Sequence, residues 1–448
     1  MRGLPIAVIG IGQCRGDDDD LAFFHQLSLT AMSLTTLIGQ QIRTADADTL
    51  ASALQASRKD TLATFAVFAA ALPDLSVPHR PTFNPPLWEL GHIGWFQEYW
   101  TSRNPHHSRG TKADPARPRW AGVRGDADAL YNSSEVHHAS RWQLNLPAVE
   151  DTRRDLHQQL AGTLDILSRS PADDDALYSS RLTLLHEDMH HEAALYTAQA
   201  LDIAIADPRW QATGHPGAVR QLAFSRLDWT TGRPPVHGFS FDNEIGEHTI
   251  SLPAFQIDDR VVSWAEFLPF IDAGGYQDPS WWSPVGRAWL IESGQTSPLY
   301  LRKHTSGWQQ RRYGHWTAVD TTLAASHLTL FEAQAWCRWA GRRLPREAEW
   351  ERAAVEGADD FAWGSVWEWT DSPFIPYPGF IAHPYRDYSQ PWFATPQQCA
   401  DASLSGQARQ VLRGASFMTQ PRMRHPLYRN FFPPTRHDVA TGFRSCAV

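Results

Sequence analysis

Two histidines four residues apart, His186 and His190, lie in the run Leu185-His186-Glu187-Asp188-Met189-His190-His191-Glu192-Ala193. On an α-helix this spacing puts both imidazoles on one face, one turn apart, within reach of a single divalent cation. Leu182, Leu185, Met189, Ala193 and Tyr196 continue that side, so the pair points into a packed interior, where an imidazole needs a partner or a metal. An isolated HxxxH is at least as often a pair of satisfied core histidines as a ligand pair. A third histidine, His92, in a separate apolar stretch moves the balance toward a metal. Three imidazoles leave coordination positions open for substrate or oxygen, a catalytic rather than a closed structural pattern. Glu192, two residues beyond His190, is placed to act on the ligands from outside the coordination sphere. His191 should face away from its neighbour. The adjacent His137 and His138 cannot share a helix face and read as loop histidines.

The elements that must position these residues are helical. Residues 22–46 and 49–72 are rich in Leu and Ala, and Leu62, Phe65, Ala66 and Phe68 form an apolar stripe. Asn84 and Pro85 open a strongly aromatic helix, Leu87 to Trp100, in which His92 shares a face with Trp88, Trp95, Phe96 and Tyr99. Gly91 and Gly94 cost that helix stability, which fits close approach of a neighbour. Residues 103–123 read as a basic, proline-rich loop and 152–168 as a further helix. Asp173, Asp174 and Asp175 lead into the histidine helix, expected over 176–205, with acids at its N-terminus as the helix dipole prefers. Long helices with inward ligands make a bundle with a metal in its core.

At 448 residues the chain exceeds what one hydrophobic core usually serves, so two domains are expected. A formal charge of −9 and the lack of a dense Lys/Arg block argue against bulk nucleic-acid binding. No run is long enough to span a membrane. Four scattered cysteines without a CxxC fit a reducing cytoplasm and no zinc ribbon or disulfide scaffold. Residues 1–21, with a short apolar core and an Asp17-Asp18-Asp19-Asp20 run, read as a disordered leader. After Asp207-Pro208 the pattern changes to short strands, many turns and many of the 20 tryptophans. Periodicity there gives a compact α+β domain with long loops, including helices at 263–271 and 329–340.

Four segments of this second half carry a resemblance. GRRLPREAEWERAA from Gly341, VWEWT from Val366, VLRGASF from Val411 and TGFRS from Thr441 are similar, in kind and order, to the signature series of the formylglycine-generating-enzyme (sulfatase-modifying-factor) fold. That resemblance implies a C-type-lectin-like domain over residues 217–448 and little about chemistry, since the fold carries several functions. Cys337, Cys399 and Cys446 do not present the copper-binding pair of true formylglycine generators. Residues 22–210 resemble the DinB-like helical bundle that the sulfoxide synthases of ergothioneine biosynthesis fuse to such a domain. Their iron motif is HxxxHxE with a third histidine upstream. The resemblance implies a non-heme, O2-dependent iron oxidoreductase with Fe(2+) on His92, His186 and His190, and Glu192 completing the motif.

It further implies the substrates hercynine, O2 and a sulfur or selenium donor, and a proton-supplying tyrosine, for which Tyr377 is the candidate. The stretch from Tyr428 to Arg436 resembles the family's RN-aromatic loop. Asn430 and Phe431 would give hercynine's trimethylammonium group a dipole and an aromatic face, with Phe432 and Arg436 in the same loop. Synthases using γ-glutamylcysteine often carry an acid where Phe432 stands, and a phenyl ring cannot pair with an ammonium. Together with the wording NPPLWELGHIGWFQEYW and LLHEDMHHEA, this resembles the selenoneine-forming branch, whose donor is the selenosugar 1-seleno-β-D-glucose. A selenosugar donor and a hercynyl selenoxide product are therefore expected. The alternative is a sulfoxide synthase using cysteine or γ-glutamylcysteine. A zinc- or nickel-dependent thiol transferase and a non-catalytic binding protein are more distant alternatives.

Overall fold

The structure, a computed structural model, describes residues 34–232, 238–401, 403–404 and 406–448. The expected leader over 1–21 lies outside them, as does the start of the first expected helix. Helix α1 (Leu34–Arg43) precedes α2 (Ala47–Ala71), α3 (Pro86–Trp100), α4 (Val149–Leu167) and α5 (Asp174–Ala200). Of these, α2 to α5 form the helical bundle. Asp46 caps α2 through the Thr49 amide, and Asp173 caps α5 through the Ala176 amide at 2.8 Å. The expected extension of α5 to 205 does not occur, because Asp202 adopts the left-handed region (φ 61°) and turns the chain. Asn84 does not cap α3: Pro85 holds the cap position, while the Asn84 amide donates to Glu89 and accepts from Arg141.

A single buried guanidinium ties the bundle together. Arg58 of α2 makes a two-pronged pair with Glu187 of α5 at 2.8 and 3.1 Å and also donates to Leu156 O of α4 and Gln97 of α3. Removing either partner would leave an uncompensated buried charge, a loss of about 3–5 kcal/mol. The close approach implied by the α3 glycines is present. A Cβ on Gly91 would lie 2.3 Å from the Tyr131 ring, and one on Gly94 would lie 2.7 Å from Leu156.

The second half is built on two four-stranded sheets. One has the order 221–224, 255–258, 446–447, 342–343; the other runs 430–432, 410–414, 367–373, 441–442. The expected helices appear as Trp264–Asp272, opened by Ser263 and Glu266, and Leu330–Trp339, opened by a reciprocal Thr329/Glu332 capping box. A further helix, Glu347–Glu356, begins within the GRRLPREAEWERAA segment. The two halves share one continuous apolar core that includes Trp88, Phe96 and Leu185 of the bundle and Trp367, Trp369 and Tyr428 of the sheet domain. Buried polar links cross the same junction. Arg43 at the end of α1 pairs with Glu244 at 2.6 and 2.8 Å, and its carbonyl accepts from Phe239 N. No helix among the described residues is long and apolar enough to cross a membrane.

Candidate metal centre and active site

Helices α3 and α5 bring His92, His186 and His190 together, with one ring nitrogen from each within 4.8 Å of the others. The ring centroids lie 4.4 Å apart for His186–His190, 4.8 Å for His92–His190 and 5.2 Å for His92–His186. Each ring is held from behind. His92 Nδ1 bonds Tyr131 O at 2.8 Å, and Trp88 stacks on the ring at 4.8 Å. Arg141 lies 4.0 Å over that indole, fixing the stack. His190 Nδ1 pairs with the Glu89 carboxylate, which Asn84 holds in turn. Phe96 lies flat on His186 at 3.4 Å, and the buried His186 Nδ1 has no hydrogen-bond partner among the described residues.

With Nδ1 of His92 and His190 engaged, Nε2 of each is free to bind a cation, the arrangement in which a carbonyl or carboxylate orients a metal-ligating imidazole. Burial, reinforced by the neighbouring His190, pulls His92 down to about 3 and His186 well below the ordinary histidine value. Both rings are thus neutral, as ligands must be. Glu89 is brought down to about 2: burial opposes its ionisation, and the charge and hydrogen bond of His190 outweigh burial. The neutral rings of His92 and His186, together with His190 oriented from outside by Glu89, fit a divalent transition metal.

Glu192 does not act behind these ligands. Its carboxylate turns to the sheet domain and accepts from Trp367 Nε1 at 2.8 Å, Ser416 Oγ at 2.6 Å and Thr419 Oγ1 at 2.9 Å. Two residues past His190 means a rotation of about 200° around the helix, so the glutamate leaves the metal face. Asp188 joins it there, taking a two-pronged bond from Arg422 at 2.7 and 2.6 Å and one from Ser57. His191, as its offset implies, faces Thr64 and Trp210.

Tyr377 is also placed away from the histidines, inside the sheet domain. Its hydroxyl lies 3.1 Å from Arg413 Nη2, and Arg429 covers its ring at 3.9 Å. These two arginines share Glu347, so Tyr377 belongs to a buried charge network. A different tyrosine reaches the metal face. Tyr385 packs edge-on against Phe96 at 4.9 Å, and its ring lies 6.1 Å from that of His186. Both tyrosines follow a proline in an aperiodic loop, so local sequence gives no ground for choosing between them. Tyr385 also lines a cavity with Trp95, Phe96, Tyr99 and Trp100. Burial raises its hydroxyl well above the ordinary phenol value.

The 430–432 strand pairs with 410–412. Alternation puts Asn430 and Phe432 on one face and Phe431 on the other. Phe431 is stacked on Phe374 at 4.1 Å, and the Asn430 side-chain Oδ1 accepts from the Phe431 backbone N–H. Arg436 lies 5.1 Å over Phe432 and 5.4 Å over Tyr196 of α5 and bonds Thr82 O and Asp438. Sequence reasoning had no signal for Glu89, whose role shows only once α3 lies against α5. Met189 was placed on the inward side of its helix, but not its contact with the sheet domain: its sulfur accepts from Tyr428 Oη at 3.4 Å.

A helical bundle with a three-histidine centre, fused to a formylglycine-generating-enzyme-like sheet domain, defines an oxidoreductase class. The sequence model of the sulfatase-modifying factor enzyme 1-like domain matches residues 229–365. A hercynine oxygenase from Mycolicibacterium smegmatis is 32% identical, across 89% of this chain and 98% of that protein. Another from Mycobacterium tuberculosis is 30% identical, across 83% and 92%. A formylglycine-generating enzyme from Streptomyces coelicolor is 29% identical, across 36% of this chain and 58% of that protein. The chain belongs to the hercynine oxygenase family. The full-length matches overturn the expected selenosugar donor and favour the thiol-using alternative.

Proposed function

We propose that this chain is an iron(II)-dependent oxygenase that joins the imidazole C2 of hercynine to the sulfur of a thiol, cysteine or γ-glutamylcysteine, as a sulfoxide. The observation carrying this reading is the three-histidine cluster in a chain that matches hercynine oxygenases along almost their whole length. The reaction balances as imidazole C–H plus thiol S–H plus O2 giving the sulfoxide and water. The C–H and S–H bonds break and a C–S bond forms. One oxygen atom goes to sulfur and the other, with both hydrogens, to water. Iron on His92, His186 and His190 would supply the redox chemistry that couples dioxygen to this bond formation.

The protein's own residues then do three things. Tyr131 O and Glu89 fix the tautomers of His92 and His190, so that the metal-facing nitrogens carry lone pairs. Phe96, Trp100 and Tyr385 wall one side of the site with aromatic surface and limit water. The Tyr385 hydroxyl, kept protonated by burial, is the proton donor of this reading in place of Tyr377. Asn430, Phe431, Phe432 and Arg436 remain the proposed substrate loop, with Asn430 and Phe432 on the same strand face. Iron(II)-loaded protein given hercynine, air and each thiol should consume O2 and yield a hercynyl sulfoxide by mass spectrometry. Absence of any adduct with either thiol would sink this reading.

A further inference from the structure

A second cleft, about 620 Å³, opens between the two domains, a size typical of small-molecule sites. Its walls include the 80–82 link before α3, the end of α5 and the loop 433–438. Its charge runs against that of the chain. Arg80, Arg311, Arg409 and Arg436 face it with only Asp202 and Asp438, in a protein whose formal charge is −9. The aspartates are already taken, Asp202 by Arg311 at 2.6 Å and Asp438 by Arg436. Arg80 and Arg409 pair with no carboxylate among the described residues.

Arg409 is the informative group. It is half-buried, with its guanidinium carbon 4.1 Å from the Trp392 ring centre and 6.0 Å from that of Phe431, so aromatic contacts position it without neutralising it. Burial, with the like charge of Arg436 nearby, pulls it down to about 10. Arg311 adds a buried Nε without a partner among the described residues, and the cleft-lining Tyr300 is held at φ 66°, a strained conformation of the kind found at ligand sites.

We infer that this cleft binds the carboxylate of a small organic acid, with Arg409 and Arg80 as the groups that recognise it. The inner wall is Arg436, stacked on Phe432, so the bound acid lies next to the proposed substrate loop. Resting on the thiol-oxygenase reading, the acid is either the carboxylate end of the thiol itself or a separate acid.

Glutarate is the probe, titrated calorimetrically into metal-free protein at low salt, where no turnover is needed. Wild-type protein should bind it, and Arg409→Gln and Arg80→Gln should each weaken binding by roughly tenfold or more, the loss of a charge-assisted hydrogen bond. Arg409→Lys keeps the charge and should lie between; it stands in if the Gln variant fails to fold. With active enzyme, Arg409→Gln raising KM for γ-glutamylcysteine but not for cysteamine would make the thiol the source. Glutarate changing the rate without competing with thiol would make it a separate acid. Undetectable glutarate binding, or equal binding by wild type and variants, would overturn the inference. Glutarate binding without oxygenase activity would instead fault only the thiol-oxygenase reading.

Discussion

Replacing Glu192 with alanine separates two roles that the HxxxHxE spacing leaves merged. In the structure its carboxylate receives three hydrogen bonds from the sheet domain and none from the ligands. Hydrogen bonds to a charged acceptor contribute about 1.5–3 kcal/mol each, so the gross loss is large. Part of it is offset, because burial raises the Glu192 pKa and its removal relieves that desolvation. Ser416 and Thr419 can also bond each other, as their hydroxyls lie 3.3 Å apart, which leaves the Trp367 indole N–H as the main orphan. The net destabilisation should be about 3–5 kcal/mol. Urea denaturation reads this directly, while metal content and affinity are measured below the transition. We expect a large stability loss with one metal per chain retained. A variant that kept its stability within about 1 kcal/mol and lost its metal would refute the reasoning and make Glu192 a ligand.

Four further outcomes follow from the geometry. Glu89→Gln, which weakens the anchor behind His190, should lower metal affinity about 10- to 100-fold in equilibrium dialysis while leaving the fold intact. Tyr385→Phe should cut kcat by about two orders of magnitude with thiol KM unchanged. Tyr377→Phe should cost about 1–2 kcal/mol of stability and leave turnover near wild type, and the reverse pattern would return the proton role to Tyr377. Asp242, raised to about 6 by burial despite its bond from Ser389, gives a pH test. Its folded pKa lies above the unfolded value, so the stability of its protonated form is present below about 4 and is lost as pH rises through about 6. Asp242→Asn should therefore be more stable than wild type at pH 7 by about 1–3 kcal/mol, and the gap should close below pH 4.

The metal centre was legible because helical spacing alone aligns His186 with His190 and seats His92 among aromatic residues. Neither inference needs tertiary information. Glu192 misled for the same reason in reverse: its place in a motif spoke of the ligands, whereas its rotation around α5 points it at Trp367. The choice between Tyr377 and Tyr385 depends on where two irregular loops return to the bundle, and no periodicity encodes that. Phe432 was read as a donor signal from one position, while the charge of the neighbouring cleft is assembled from four arginines spread over residues 80 to 436. The sheet domain was legible as a fold through its ordered segments, but not its buried arginine networks, since Arg413, Arg429 and Arg444 look like surface residues until their partners are known.

The seam between the two halves bears on how substrates reach the metal. Many two-domain enzymes admit substrate by swinging open around a hinge. Here such a swing would have to break the buried Arg43–Glu244 and Arg422–Asp188 pairs together with the Glu192 bonds and split a shared core. Each buried pair broken costs about 3–5 kcal/mol, and the losses taken together hold the hinge-opened state to a very small population. Entry and release are therefore left to rotamer changes and loop breathing at the cleft mouths, and the reaction chamber is moulded before any substrate arrives.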